Sequence, residues 1–452
     1  MNDAPSILQR RVEADVLATL APAGRAGRAW IACLGLVSAA GLAAYIYQLV
    51  YGLQVTAMRE FVSWGVYMTN FVFFIGISHA GTLISAILRV TGAEWRRPIT
   101  RMAEGITVFA LMVGAPMVLI DMGRPDRIWH VLVYGRLNSP ILWDVISIFT
   151  YLCGSVLYLY VAMIPDLAIL AERGPVAGLR HRLYRALSLG FRNSPGQRES
   201  LERALGRMAI VIIPVAVSVH TVVSWIFGMT LRPGWHSTIF GPYFVVGAVF
   251  SGTAAILVAM AIFRRVYRLE SYLTHRQFAY LGRLLLAFAL MYVYFTLSEY
   301  VTTWYGSSAT DQRLVDLLMG PGAYGLAFWG WAVFGLFIPI LLLILPPKSS
   351  IAPTITASVL VLGGMWVKRY LILIPTLMTP FLPPEASGLQ ATYWPTWVEW
   401  TVTAGGFAFF LLLFTLFARL FPIISIWETV EGVEQLGAET TGVDLALQEV
   451  AA

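Results

Sequence analysis

SWGVYMTNFVFFIGISHAGTLISAILRV, residues 63–90, is a membrane-length apolar run with one histidine, His79, near its middle. A helix needs about 20 apolar residues to cross a bilayer. A second such run starts near Pro98 and closes on VLIDMGRPDRIWH (118–130), crowding Asp121, Arg124, Asp126, Arg127 and His130 at one membrane edge. A third enters lipid through SPILWD (139–144), with Asp144 a few residues inside. An ionisable group in hydrocarbon costs about 2.5 to 3.5 kcal/mol on insertion scales, so it marks function by default. Three successive helices are therefore expected to converge on one polar pocket.

The remaining sequence continues in the same style. Of 452 residues, 58% are hydrophobic and 12% charged, and the mean hydropathy is +0.72. No soluble domain of this size presents such a surface, so the fold class is an all-α polytopic membrane protein. The formal net charge of +6 comes from arginines in short loops between apolar runs, without an aromatic platform, which argues against nucleic acid as a partner. Cys33 and Cys153 both fall inside membrane runs with no CxxC spacing. No iron-sulfur cluster or structural zinc is expected in this chain. Residues 1–28 lack a compact apolar core followed by a small-residue cleavage site and are not read as a cleaved signal peptide.

Ten stretches qualify as transmembrane helices, near 29–52, 62–90, 98–121, 141–164, 207–229, 242–264, 279–304, 323–346, 352–377 and 398–421. They follow a cytoplasmic segment 1–28, fill a membrane domain 29–429 and precede an acidic tail 430–452. Arginine and lysine orient the bundle. Arg10, Arg11, Arg25, Arg28, Arg89, Arg96, Arg97, Arg101, the arginines of the loop 165–206, Arg264, Arg265, Arg268, Arg276, Arg283, Lys348 and Arg419 share one side, against Arg59, Arg124, Arg127, Arg136, Arg232 and Arg313 on the other. Both termini are then cytoplasmic, and the DMGRP turn, the mouth of SPILWD and the loop RPGWHSTIFGPYF (232–244) face outward. The loop 165–206 is expected to hold a short basic surface helix, and the PPKSS turn (346–350) to join the eighth and ninth helices, with room for a re-entrant pair.

A buried histidine can hydrogen-bond a quinone and exchange its proton near neutral pH, and His79 is joined by His220 in VIIPVAVSVHTVVSW (211–225). Two such histidines also fit the axial ligands of a b-type haem. Asp144 at a helix start has a capping role as its alternative. Asp121 is expected to be fixed beside Arg124 by the turn through Gly123 and Pro125. Glu104, Asp166 and Glu299 are candidate proton-relay groups, with pairing to loop arginines as the structural alternative. Lys368 and Arg369 in GGMWVKRYLILIP (363–375) need acidic partners or a wet cavity, with Glu299 and Glu399 as candidates. RPGWHSTIFGPYF is rigid and aromatic, suited equally to partner docking or to an interface belt. GxGxxG, Walker A, nucleophile-elbow and HExxH motifs are absent from the sequence.

Taken together, SHAGTLISAILR, the D-x-GRP-x-R turn, SPILWD followed by TYL, the stretch SVHTVVSWIFGMTLRPGWHSTIFGPYFVVGAVFSG and GGMW resemble the membrane subunits of the NrfD/polysulfide reductase family, from about Trp64 to Glu428. Within it, the ten-helix length and the PGWHSTIFGPYF loop resemble the ActC subunit of bacterial alternative complex III. That resemblance implies two four-helix bundles, about 62–229 and 242–377, with the first and last helices flanking them. It implies a bacterial inner-membrane subunit that binds quinol, menaquinol in preference to ubiquinol, with no haem, iron-sulfur cluster or metal of its own. It further implies an outer-facing iron-sulfur subunit, a multihaem cytochrome c and a second related membrane subunit as partners. The positions matching the family's quinol site are His79, Asp121, Asp144 and His220, with His79, Asp121 and Asp144 the catalytic candidates. Glu104, Asp166, Glu299, Lys368 and Arg369 are the proton-path candidates. The function this adds up to is quinol oxidation within a respiratory oxidoreductase complex, with possible coupling to proton translocation. A secondary transporter that uses the same buried charges is the alternative.

Overall fold

The structure, a computed structural model, describes residues 7–174, 178–306, 308–345, 350–381 and 393–432. Ten of its helices are long and apolar enough to cross a membrane: α1 (Arg25–Tyr51), α2 (Val66–Val90), α3 (Thr100–Asp121), α4 (Pro140–Arg173), α5 (Pro195–Met229), α6 (Phe240–Val266), α7 (His275–Gly306), α8 (Ala323–Ile344), α9 (Ala352–Met378) and α10 (Trp397–Leu420). The described residues contain no strand, as expected of a chain whose backbone must satisfy itself in lipid. The PPKSS turn, apart from Ser350, and positions 433–452 of the acidic tail lie outside the described residues.

α2 is the central element, buried along nearly its whole length. It packs on α3, α5 and α6, and α4 lies against α5 and α3, which completes one four-helix group. α6, α7, α8 and α9 form the second, joined to the first through α2, α5 and α6. Small residues permit this closeness. A side chain at Gly81 would run into the backbone carbonyl of Ala103 on α3, and one at Gly252 on α6 would meet Ala80 on α2. α1 and α10 stand outside both groups and pack chiefly on each other, and a Cβ on Gly41 of α1 would lie 2.7 Å from the Cα of Gly405 on α10.

α4 and α5 run well past the expected ends, to Arg173 and from Pro195, so the connection between them is shorter than the sequence reading implied. It contains the expected short basic helix, Leu179–Leu187. α8 contains a π-helical segment, Trp331–Phe337, whose Gly335 closes on Gly364 of α9. Such bulges often sit at functional positions.

At the arginine-rich end, where α2 finishes, a charged clamp holds the segment that follows α10. Asp166 on α4 pairs with Arg101 on α3 and accepts the backbone N–H groups of Ile426 and Trp427, each at 3.1 Å. Glu428 pairs with Arg89, with Arg96 3.4 Å away, and its own carbonyl accepts from Arg97. Burial raises the Glu428 carboxyl, but the charges of Arg89 and Arg96 outweigh it and hold Glu428 below its ordinary 4.5. A carboxyl depressed in the folded state contributes its full stability above the unfolded value and loses it as pH falls through the lower folded value. The thermal midpoint of the solubilised protein should therefore hold level above about pH 5 and fall on further acidification. Glu428→Gln should flatten that acid limb and lower the midpoint at neutral pH; an acid limb of unchanged depth would refute the assignment.

Candidate functional site

His79 lies midway along α2, at the level where α2 meets α5. Its Nδ1 is 2.6 Å from the carbonyl of Ile75, one turn back. A carbonyl only accepts, so Nδ1 carries the proton of the neutral ring and Nε2 is left as an acceptor. Nε2 is buried without a hydrogen-bond partner beside the Ala216 carbonyl of α5, which is another acceptor. The ring of His220 on α5 touches that of His79, with centroids 4.5 Å apart, and both of its nitrogens are buried without a well-formed hydrogen bond, the backbone of Phe244 being the nearest polar neighbour. Tyr151 of α4 stacks on His79 at 4.9 Å and donates to the Ser78 carbonyl at 3.2 Å. Thr107 of α3 donates to the same carbonyl at 2.6 Å and accepts the Thr82 N–H at 2.8 Å, which fixes α2 against α3 beneath the ring.

Three histidine nitrogens in one contact pair are thus left unsatisfied. A buried polar group without a partner costs about 1 to 3 kcal/mol, and a ligand that carries hydroxyl or carbonyl groups removes that penalty. A crevice of about 480 Å³ lies along α5 at Thr221, Ser224 and Trp225 and is closed by Trp235 and Ser237 among others; neither His79 nor His220 lines it. That volume lies in the usual range for small-molecule sites.

The aspartates do not join this layer. Asp121, at the end of α3, lies beside the backbone N–H of Gly65, which precedes α2. Gly65 and His79 are separated by roughly 20 Å along the helix axis, at about 1.5 Å per residue. One ligand head cannot touch both His79 and Asp121, so the single pocket expected from the sequence is divided. Arg124 pairs with Asp126 instead of Asp121, at 2.9 Å on the exposed turn. Asp144 is buried on α4, roughly 10 Å from Tyr151 by helical rise. Ser139 occupies the N-cap position, and Asp144 Oδ1 has no partner. Asp121 Oδ1 is likewise unpaired.

Residues 54–381 match the family described as polysulphide reductase, NrfD. The chain belongs to that family. It is 28% identical over 420 residues to a membrane subunit of a candidate dimethyl sulfoxide reductase of Halobacterium salinarum, covering 88% of this chain and 92% of that protein. It is 25% identical over 404 residues to a selenate reductase subunit of Mesobacillus selenatarsenatis, covering 87% and 93%. The Hdr-like menaquinol oxidoreductase integral membrane subunit of Archaeoglobus fulgidus is 22% identical over 421 residues, covering 90% and 96%. Ten apolar helices and membership of the NrfD family together make this a multi-pass integral membrane protein.

In this NrfD-family chain the two histidine rings are in direct contact, which leaves no gap for a porphyrin between them, so the axial-ligand arrangement does not fit. The other titratable candidates fall into separate groups. Glu104 accepts from Ser85 at 3.0 Å and its Oε2 is unpaired, while Asp166 is fully engaged in the clamp. Lys368 meets an aromatic cage: its Nζ lies 4.5 Å from the Trp331 ring and 4.7 Å from that of Tyr300, whose hydroxyl it bonds at 2.7 Å. Arg369 lies over Phe244, 5.0 Å from the ring centre, and Phe244 in turn neighbours His220. Glu399 pairs with neither cation. It closes the capping box of α10 with Thr396 and accepts from Ala57 N–H at 2.7 Å and Tyr393 hydroxyl at 2.5 Å. Trp235 of the loop 232–244 is buried and donates to the Ile372 carbonyl at 3.0 Å, so it fastens the loop to α9 and offers no face to a partner. Tyr151 was missed at the sequence level; its signal was the TYL that follows SPILWD, one helical stretch beyond Asp144.

Proposed function

We propose that this chain is the quinol-binding and quinol-oxidising membrane subunit of a respiratory electron-transfer complex. The observation that carries the reading is the His79–His220 pair, with three unsatisfied ring nitrogens in the apolar interior of the first bundle. A quinol supplies two electrons and two protons. His79 Nε2 is the acceptor for one hydroxyl proton, and once protonated it can donate to the Ala216 carbonyl beside it, which offsets part of the cost of a buried imidazolium. His220 orients the second hydroxyl. Tyr151 and Thr107 hold the floor of the site, so the imidazole is presented in one rotamer.

Asp144 and then Asp121 lead toward the opposite end from the arginine clamp. The arginine-rich end is cytoplasmic by the positive-inside rule, which places both termini there and makes that route an outward proton exit. Glu104, Glu299, Lys368 and Arg369 remain the candidate groups for a route through the membrane. We assign Asp166 to anchoring, since both its oxygens are committed. Electrons pass to an iron-sulfur subunit at the outer face, in a bacterial inner-membrane complex of the alternative complex III kind, with a multihaem cytochrome c and a second related membrane subunit. Menaquinol is the favoured quinol, in line with the menaquinol oxidoreductase name of one relative.

The test is gentle purification from native membranes, with identification of co-purifying subunits, iron-sulfur and haem spectra, and assay of menaquinol-analogue oxidation. Co-purification with an iron-sulfur subunit and oxidation of the analogue is the expected result. A chain that arrives alone and inert toward quinol overturns the reading.

A further inference from the structure

A large opening lies away from the histidines, between the α1–α10 pair and the two bundles. It is an apolar trough of about 830 Å³ whose walls include Phe74 and Ile77 of α2, Ala259 and Phe263 of α6, Gly363 of α9 and Phe410 of α10. Along α10 it runs from Phe407 to Arg419 and along α6 from Ala255 to Tyr267. Each of those spans is roughly 18 Å at the helical rise, slightly more than half of a hydrocarbon core about 30 Å thick. The trough therefore begins at the arginine-rich surface and stops near mid-bilayer, the reach of one leaflet. A partner transmembrane helix would need a groove across the whole core. The trough is open sideways to lipid, since Ile262 and Leu411 on its rim are exposed.

Its surface end carries charge. The guanidinium of Arg419 lies over the Tyr267 ring at 5.6 Å and donates to the Ala21 carbonyl at 3.2 Å, while its Nε is buried without a partner. Arg264 and Arg265 close α6 beside Tyr267, and Arg25 and Arg28 open α1. Trp30 Nε1 donates to Thr415 across the mouth at 3.3 Å, which ties α1 to α10 there. A tail-shaped apolar channel one leaflet deep, with Arg419 in its lining and Arg25, Arg28, Arg264 and Arg265 around its mouth, matches an anionic phospholipid. The neutral isoprenoid tail of a quinone would bring no charge to meet those arginines.

We propose that the trough is a specific site for an anionic phospholipid of the cytoplasmic leaflet, with its phosphate on Arg419 and an acyl chain against Phe410, Phe263 and Gly363. It holds the α1–α10 pair to the bundles where direct helix contact is sparse. The test uses the complete complex, delipidated and returned to phosphatidylcholine vesicles containing phosphatidylglycerol, with retained lipid read by native mass spectrometry. Wild type should retain phosphatidylglycerol over phosphatidylcholine by about fivefold, the factor one basic residue is worth at an anionic membrane surface. Arg419→Gln should bring the two to parity. Gly363→Leu, at a position where an added Cβ meets nothing within 4 Å, should fill the trough and lower retention of both lipids even if the arginine variant fails to assemble. No preference in wild type, or unchanged retention in Gly363→Leu, overturns the proposal. So does loss of bound quinone in place of phospholipid from the Gly363→Leu variant.

Discussion

Replacing His79 by alanine is expected to lower menaquinol turnover about tenfold or more, a barrier increase of about 1.4 kcal/mol or greater, while the protein still assembles. The two halves of that expectation have separate causes. Assembly persists because the hydrogen bond of His79 is to its own helix, the Ile75 carbonyl, and no interhelical bond is lost with the ring. What disappears between helices is ring packing on Tyr151 and His220, worth about 0.5 to 1.5 kcal/mol per pair. Turnover falls because Nε2 is the unsatisfied acceptor best placed to take a hydroxyl proton, and positioned proton transfer of this kind contributes about 10² to 10⁴ in rate.

His220→Ala should be impaired as well, and the double variant should be no worse than about the poorer single one, because the two rings act on one ligand head and groups that act as a unit are not additive. Turnover would be followed with a menaquinol analogue and an artificial acceptor, and assembly by size-exclusion chromatography. A variant that assembles and turns over at near-normal rate removes His79 from the site. If both single variants are slow and their effects multiply, the rings act in separate steps and the shared-ligand arrangement fails.

How far the sequence disclosed this site depended on whether a feature is local along the chain. Apolar runs fix helices because backbone in lipid has no other way to satisfy its polar groups, and eight of the ten helices lie close to their expected bounds. α4 and α5 overran theirs because polar residues such as Asp166, Glu172 and Arg173 look like loop while they continue a helix out of the membrane. Counting depth from helix ends sets His79 near mid-membrane and His220 closer to the outer end, so their meeting was not legible and comes from the packing of α2 on α5. Asp121 was misplaced because nearness in sequence to Asp144 stood in for nearness in space. The cage around Lys368 was not legible, since Tyr300 and Trp331 come from α7 and from the π-helical stretch of α8, and nothing in local pattern says which rings face a buried ammonium. Acidic partners were expected there on electrostatic grounds. Glu299 does share a cavity with Lys368, but aromatic faces and one hydroxyl make the direct contacts.

Asp166→Ala is expected to cause the greatest loss of stability of any change considered for this chain. Asp166 is wholly buried and holds three donors: the Arg101 guanidinium and the N–H groups of Ile426 and Trp427. Removing one partner of a buried ion pair costs about 3 to 5 kcal/mol, because the other charge is left in low dielectric. Two backbone donors are orphaned along with it, and the helical turn that carries Glu428 loses its attachment. Arg101 retains the Ala162 carbonyl at 2.9 Å, which does not neutralise it. The variant should show a depressed thermal midpoint, low yield and early proteolytic cleavage after Leu420. The double variant Asp166→Ala with Arg101→Met should recover part of the midpoint by removing the stranded charge, although the N–H groups stay unmet. If Asp166→Ala alone keeps a normal midpoint, the pair does not hold the segment. If the double variant is as unstable as the single, the two backbone hydrogen bonds carry the effect and the charge pairing does not.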